Sequence, residues 1–219
     1  MVIYTPHHFL PERIKQAEIF LQKIPARYCF ITGSFLYQQH YNDIDIFVLS
    51  RTKQKLIPPH PKAKITIIDF NDLSSLFYHS ITKSGVAKNI LPIKSLKVTL
   101  SDYWQVINEA VPTIMNQKDK YRKEVRFLIL YTQYFKTKQI LDSYELAHRI
   151  NQFKNYHDLF HYINKEVPPI ISNHNKRSYL KRFFYTQAGF YKNAEYKAQN
   201  FLYELSHAIV RSYGQPIRI

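Results

Sequence analysis

Apolar residues recur at helical spacing from Pro11 to Lys23, at Ile14, Ala17, Ile19, Phe20 and Leu21, behind a proline suited to a first turn. Pro25 ends that helix. "RYCFIT" (Arg27–Thr32) is a short apolar run closed by Gly33 and reads as a strand. Ser34–Gln39 can start a short helix. "IDIFVL" (Ile44–Leu49) predicts a second strand, and "KITIIDF" (Lys64–Phe70) a third, rich in β-branched residues. Between them, the basic, proline-rich Arg51–Lys62 reads as a loop.

Asn71-Asp72 can cap a helix over Leu73–Thr82, and Leu96–Leu100 is a weaker strand candidate. Beyond Ser101 the periodicity becomes helical. Tyr121–Lys136 carries Val125, Leu128, Ile129, Thr132 and Phe135 on one face. Ser143–Phe153, His157–Lys165, Lys176–Phe190 and Ala194–Tyr213 follow as helices, with Pro168-Pro169 and Gly214 as punctuation. The expected architecture is α+β: a small mixed sheet with flanking helices over residues 1–100, then an all-helical domain over 101–219.

Asp43 and Asp45 stand out against this pattern. Alternation along a strand puts both on one face, near its start, with Ile44, Ile46 and Val48 on the other. Two carboxylates side by side in an apolar setting repel each other, and a divalent cation relieves that cost. Their hard oxygens suit Mg²⁺ (or Mn²⁺), which also retains water and phosphate oxygens in its shell. Asp69, flanked by Ile68 and Phe70, can join them if its strand pairs alongside. Three carboxylates can hold two ions and stabilise both oxygens of a phosphoryl or nucleotidyl transfer. Gly33-Ser34 offers close backbone approach and hydrogen-bond donors for phosphate.

"FITGSFLYQQHYNDIDIFV" followed by "IIDF" resembles the DNA polymerase β-like nucleotidyltransferase superfamily, over roughly residues 10 to 75. The likeness is to its small, minimal members with a helical C-terminal half. It implies that Gly33 and Ser34 bind the nucleotide triphosphate, that Asp43 and Asp45 ligate both metals, and that Asp69 ligates the catalytic metal and helps deprotonate the acceptor hydroxyl. One departure is clear. Many members carry a basic residue and a glycine after Gly-Ser, where this chain has Phe35, Leu36, Tyr37, Gln38 and Gln39. Triphosphate binding would then rely on cations elsewhere. Arg122, Lys123 and Arg126 are candidates, with solvated surface charge as the alternative.

Charge narrows the acceptor. The 219 residues hold 31 Lys+Arg against 16 Asp+Glu, a net charge of +15. Such an excess favours an anionic partner, nucleic acid or nucleotide. "HNKRSYLKRFFYTQ" mixes Lys176, Arg177, Lys181 and Arg182 with Tyr179, Phe183, Phe184 and Tyr185. That mixture suits single-stranded RNA, and equally an amphipathic helix with core aromatics and solvated charges. His157 and His161 have chelating spacing but no third ligand, and His7-His8 is no better supported. Cys29 is the sole cysteine, which excludes an intramolecular disulfide and a Cys-based zinc site. Neither a signal peptide nor a membrane span is expected, so a cytoplasmic setting is the expectation.

The function expected is transfer of an NMP from an NTP to an acceptor hydroxyl, with RNA or tRNA first. Protein- or small-molecule-modifying transferases, of toxin–antitoxin or antibiotic-resistance type, are alternatives. So is a catalytically inactive transferase-like module that binds RNA or protein.

Overall fold

The computed structural model describes residues 1–5, 8–52, 55–116, 122–153 and 156–173. Contacts divide the chain into two compact units, Met1–Val98 with Ile140–His148, and Thr99–Gln139 with the chain from Arg149 onward.

The first unit is a five-stranded mixed sheet with flanking helices. In chain order it holds β1 (Val2–Tyr4), α1 (Pro11–Gln22), β2 (Cys29–Thr32), the one-turn α2 (Ser34–Tyr37), β3 (Ile44–Leu49), β4 (Ala63–Ile68), a 3₁₀ turn (Asp72–Ser74), α3 (Leu76–Ile81) and β5 (Gly85–Ala87). The strand order is β1-β5-β2-β3-β4. β3 runs antiparallel to β2 and parallel to β4, and β5 runs antiparallel to β2 and β1.

Every residue of β2 is buried, because both sheet faces are covered. On one face Ile31, Ile44, Ile46 and Val48 meet Ala17, Leu21 and Ile24 of the α1 segment and Phe35 and Leu36 of α2. On the other, Phe30, Phe47, Leu49 and Ile68 meet Leu73, Tyr78 and Ile81. Alternation along β3 assigns its residues to these two layers in turn.

Several boundaries differ from the sequence expectation. No strand forms over Leu96–Leu100; the sheet is completed by β1 and β5 instead, each only three residues long and too short for a periodicity to register. The helix expected over Leu73–Thr82 breaks at Ser75, which adopts extended backbone and accepts a hydrogen bond from the Tyr78 N–H, capping α3.

The second unit contributes α4 (Leu100–Asn116), α5 (Arg122–Thr137), the C-terminal end of α6 (Ser143–Ile150) and α7 (Tyr156–Asn173). Tyr103 of α4 stacks on Phe135 and shares a 2.9 Å hydrogen bond with Thr132. Lys136 of α5 is paired with Glu166 of α7. Pro168 and Pro169 lie inside α7 and do not end it. A proline in a helix interior costs about 3 kcal/mol. Burial of Val167, Ile170 and Ile171 around the pair offsets this by keeping the apolar face continuous. The expected helices Lys176–Phe190 and Ala194–Tyr213 lie outside the described residues. No helix among the described residues is long and apolar enough to cross a membrane.

Ile140–His148 is part of the first unit although it follows two helices of the second. Asp142 caps α6: its Oδ1 accepts from the Glu145 N–H, and Glu145 Oε2 accepts from the Asp142 N–H, a reciprocal capping box. Ser80 Oγ donates to Leu141 O at 2.6 Å, and Lys83 Nζ donates to Ile140 O at 2.8 Å. Tyr144 stacks on His8 at 3.8 Å and meets Tyr37 edge-on.

Two outcomes test this packing. A Cβ added at Gly85 would sit 2.7 Å from the Ile31 carbonyl oxygen, which is backbone and cannot swing aside. Gly85→Ala should lower stability by about 1–3 kcal/mol in denaturant unfolding. Burial pushes the Cys29 thiol up to about 11, with the charge of Lys88 opposing the shift. Cys29 should therefore be inert to a thiol reagent at pH 8 in native protein and react once on unfolding.

Candidate functional site

The pairing of β2 with β3 builds the site. Thr32 is the register partner of Asp45, so the chain leaving β2 through Gly33 turns directly beside that carboxylate. Gly33 has φ 90° and ψ −165°, a backbone state that disfavours any side chain. A Cβ there would also touch Asp45 Oδ2 at 3.5 Å. Ser34, half-buried, opens α2 immediately afterwards. Gly33, Ser34 and Asp45 are thus brought to one corner of the sheet.

Asp43 lies two residues before Asp45, just ahead of β3, and shares its face by alternation. Ile44, Ile46 and Val48 anchor the opposite face in the α1 layer, as the sequence pattern requires. Beside Asp45 on the neighbouring strand, the buried Thr32 hydroxyl donates to Ser84 O at 2.7 Å and lies 3.1 Å from Ser143 Oγ. The 140–148 segment therefore reaches this corner, a contribution that its helical periodicity does not reveal.

The third expected carboxylate is elsewhere. β4 is parallel to β3, with Lys64 opposite Asp45 and Ile68 opposite Leu49. Asp69 follows Ile68 at the far end of the strand pair, about 16 Å from Asp45 at strand spacing. There its Oδ1 accepts from the Asn71 N–H at 2.8 Å, and its carbonyl accepts from the Asp72 N–H, so Asp69 is a turn residue. Apolar flanking residues showed that Asp69 ends a strand. They held no information on which way that strand runs. Among the described residues no group of three or more His, Cys, Asp or Glu is placed to hold a metal ion.

Lys64 occupies the position beside the aspartates. Its Nζ donates to Asp43 Oδ2 at 2.6 Å. The hydrogen bond and charge of Asp43 hold the Lys64 ammonium above the usual lysine range, with Asp45 adding to the effect. In the sequence, Lys64 is marked by its place as the first polar residue of "AKITII".

The uncharged "FLYQQ" also has a structural cause. Phe35 and Leu36 are core residues, at 1% and 0% exposure. Leu36 O accepts from the Leu10 N–H, and Gln39 O accepts from Arg13 Nη2, tying the loop to the α1 segment. Arg13 also lies over the Phe35 and Tyr41 rings.

Of the remaining candidates, Arg126 is exposed on α5, in the second unit. The side chains of Arg122, Lys123 and His157 lie outside the described set, as do His7, Lys176, Arg177, Lys181 and Arg182. His8 is occupied by Tyr144, and His161 is exposed on α7. The second unit holds a cavity of about 420 Å³ lined in part by Asp102, Glu109, Glu124, Phe127 and Tyr131.

The chain matches no protein-family model and no curated protein.

The Lys64 pair has a pH signature. A raised folded-state pKa means the ion pair favours the folded state at neutral pH, and that contribution is lost as pH rises through the raised value. In an NMR titration Lys64 should deprotonate above the usual lysine range, and Asp43→Asn should bring it back toward that range.

Proposed function

We propose that the Gly33–Asp45 corner is a nucleotidyltransferase site, transferring an NMP from an NTP to an acceptor hydroxyl with release of pyrophosphate. The observation that carries this reading is Gly33: its left-handed backbone, one residue after the register partner of Asp45, sets a side-chain-free main-chain turn beside the aspartates. In this reading Gly33 and Ser34 receive phosphate oxygens, and Asp43 and Asp45 hold Mg²⁺ or Mn²⁺. The donor set fits one hard cation, because two carboxylates on one face leave room in the shell for water and phosphate. Bound there, the ion would neutralise charge on the transferring phosphoryl group. Asp69 has no part in the proposal.

Gly33 lets the phosphate chain approach the main chain, and the Ser34 hydroxyl orients it. Ile44 and Ile46, locked in the core, keep the two aspartates aimed at one place. The acceptor oxygen bonds to the α-phosphorus as the bond to the α–β bridging oxygen breaks, pyrophosphate leaves, and the acceptor proton passes to solvent. The net charge of +15 points to RNA, tRNA included, as the acceptor. In this reading Lys123 and Arg126 are the candidate cations for triphosphate, and Lys176, Arg177, Lys181 and Arg182 those for RNA phosphates. A cytoplasmic setting fits this chemistry.

The Lys64–Asp43 pair favours a second reading, a transferase-like module that binds RNA or a protein partner without catalysis. One experiment separates them. The protein is incubated with each labelled NTP, Mg²⁺ or Mn²⁺, and total cellular RNA and protein. We expect label in RNA, lost by at least about 100-fold in Asp43→Asn and in Asp45→Asn. Label in protein or in a small molecule would redirect the acceptor assignment. No label from any NTP, with RNA still bound by both variants, would establish the binding module.

A further inference from the structure

We infer that Lys64 is a resident cation of the Asp43–Asp45 corner, standing where a divalent ion would take Asp43 and competing with that ion. The inference rests on the metal-site reading above.

Position comes first. Parallel pairing sets Lys64 opposite Asp45, and alternation gives it the same face: Ile68, four residues on, packs in the layer that holds Phe47 and Leu49. Contact comes second. Lys64 Nζ lies 2.6 Å from Asp43 Oδ2, so a metal ion cannot take that oxygen until the ammonium leaves. Mobility comes third. β4 is an edge strand and the Lys64 side chain is 69% exposed, so it can withdraw into water. The neighbouring Lys62 is not a rival for the role, because its ammonium donates to Tyr41 O and lies over the Tyr41 ring.

Charge explains why a lysine is useful there. Two carboxylates side by side repel each other when no ion is bound. A tethered ammonium relieves that repulsion, at the expense of affinity for the incoming ion. The competition is modest, because an exposed pair is a weak one.

Mn²⁺ affinity of the full chain, read from the EPR signal of free Mn²⁺ at fixed ionic strength, tests this. Lys64→Met should bind Mn²⁺ about three- to tenfold more tightly than the wild type. Lys64→Glu, which adds a third carboxylate, should bind more tightly still. Lys64→Arg keeps the charge and should stay near wild type. Lys64→Met binding no better than wild type, or Lys64→Arg binding as tightly as Lys64→Met, would overturn the inference. Asp43→Asn should weaken Mn²⁺ binding. If it does and Lys64→Met changes nothing, only the role of Lys64 falls. If Asp43→Asn has no effect, the metal reading of the corner falls with it.

Discussion

The corner depends on how β3 pairs with its two neighbours. Antiparallel pairing with β2 puts Thr32 opposite Asp45, and from that single register follow the Gly33 turn, the approach of its backbone to the carboxylate, and the burial of the Thr32 hydroxyl under Ser84 and Ser143. Parallel pairing with β4 decides the other half. It brings Lys64 to the aspartates and carries Asp69 to the opposite end. A strand running the other way would have exchanged those two residues. The hydrogen-bond ladders of one strand therefore set the charge of the whole site.

That charge is handled at the edge of the sheet. Asp45 and Thr32 sit on inner strands, while Lys64 sits on an edge strand open to water. The two carboxylates thus share a partly hydrated margin, where an ammonium can neutralise one of them without the desolvation that a buried pair would suffer. The apolar side of β3 does the opposite work. Ile44 and Ile46 are fully buried against α1 and α2, so the strand cannot slip by one residue without exposing isoleucines and burying aspartates. Hydrophobic packing on one face thus holds the polar chemistry on the other.

The same packing accounts for the loop after Gly33-Ser34. Phe35 and Leu36 are committed to the core, and Arg13 ties down Gln39, so this stretch closes the α1 layer and offers no cation of its own. Charge near the corner comes instead from Lys64, a position on the opposite side of the aspartates in the sheet. Core packing and site chemistry compete for the residues around Gly33, and packing takes most of them.

Local physics determined a good deal from sequence alone. α1 is encoded in the 3.6-residue spacing of its apolar positions and β2 and β3 in short apolar runs, and alternation along β3 gives Asp43 and Asp45 a shared face. Each concerns residues a few positions apart, where backbone geometry leaves little choice. Only the tertiary structure decided the rest. The direction of β4, the short strands β1 and β5, the return of residues 140–148 to the first unit, and the passage of α7 through two prolines all turn on contacts between distant segments. Their energies come from burial and pairing that no local pattern contains. Asp69 and Lys64 show the difference most plainly: both belong to the same strand region, and only the pairing of that strand says which one faces the site.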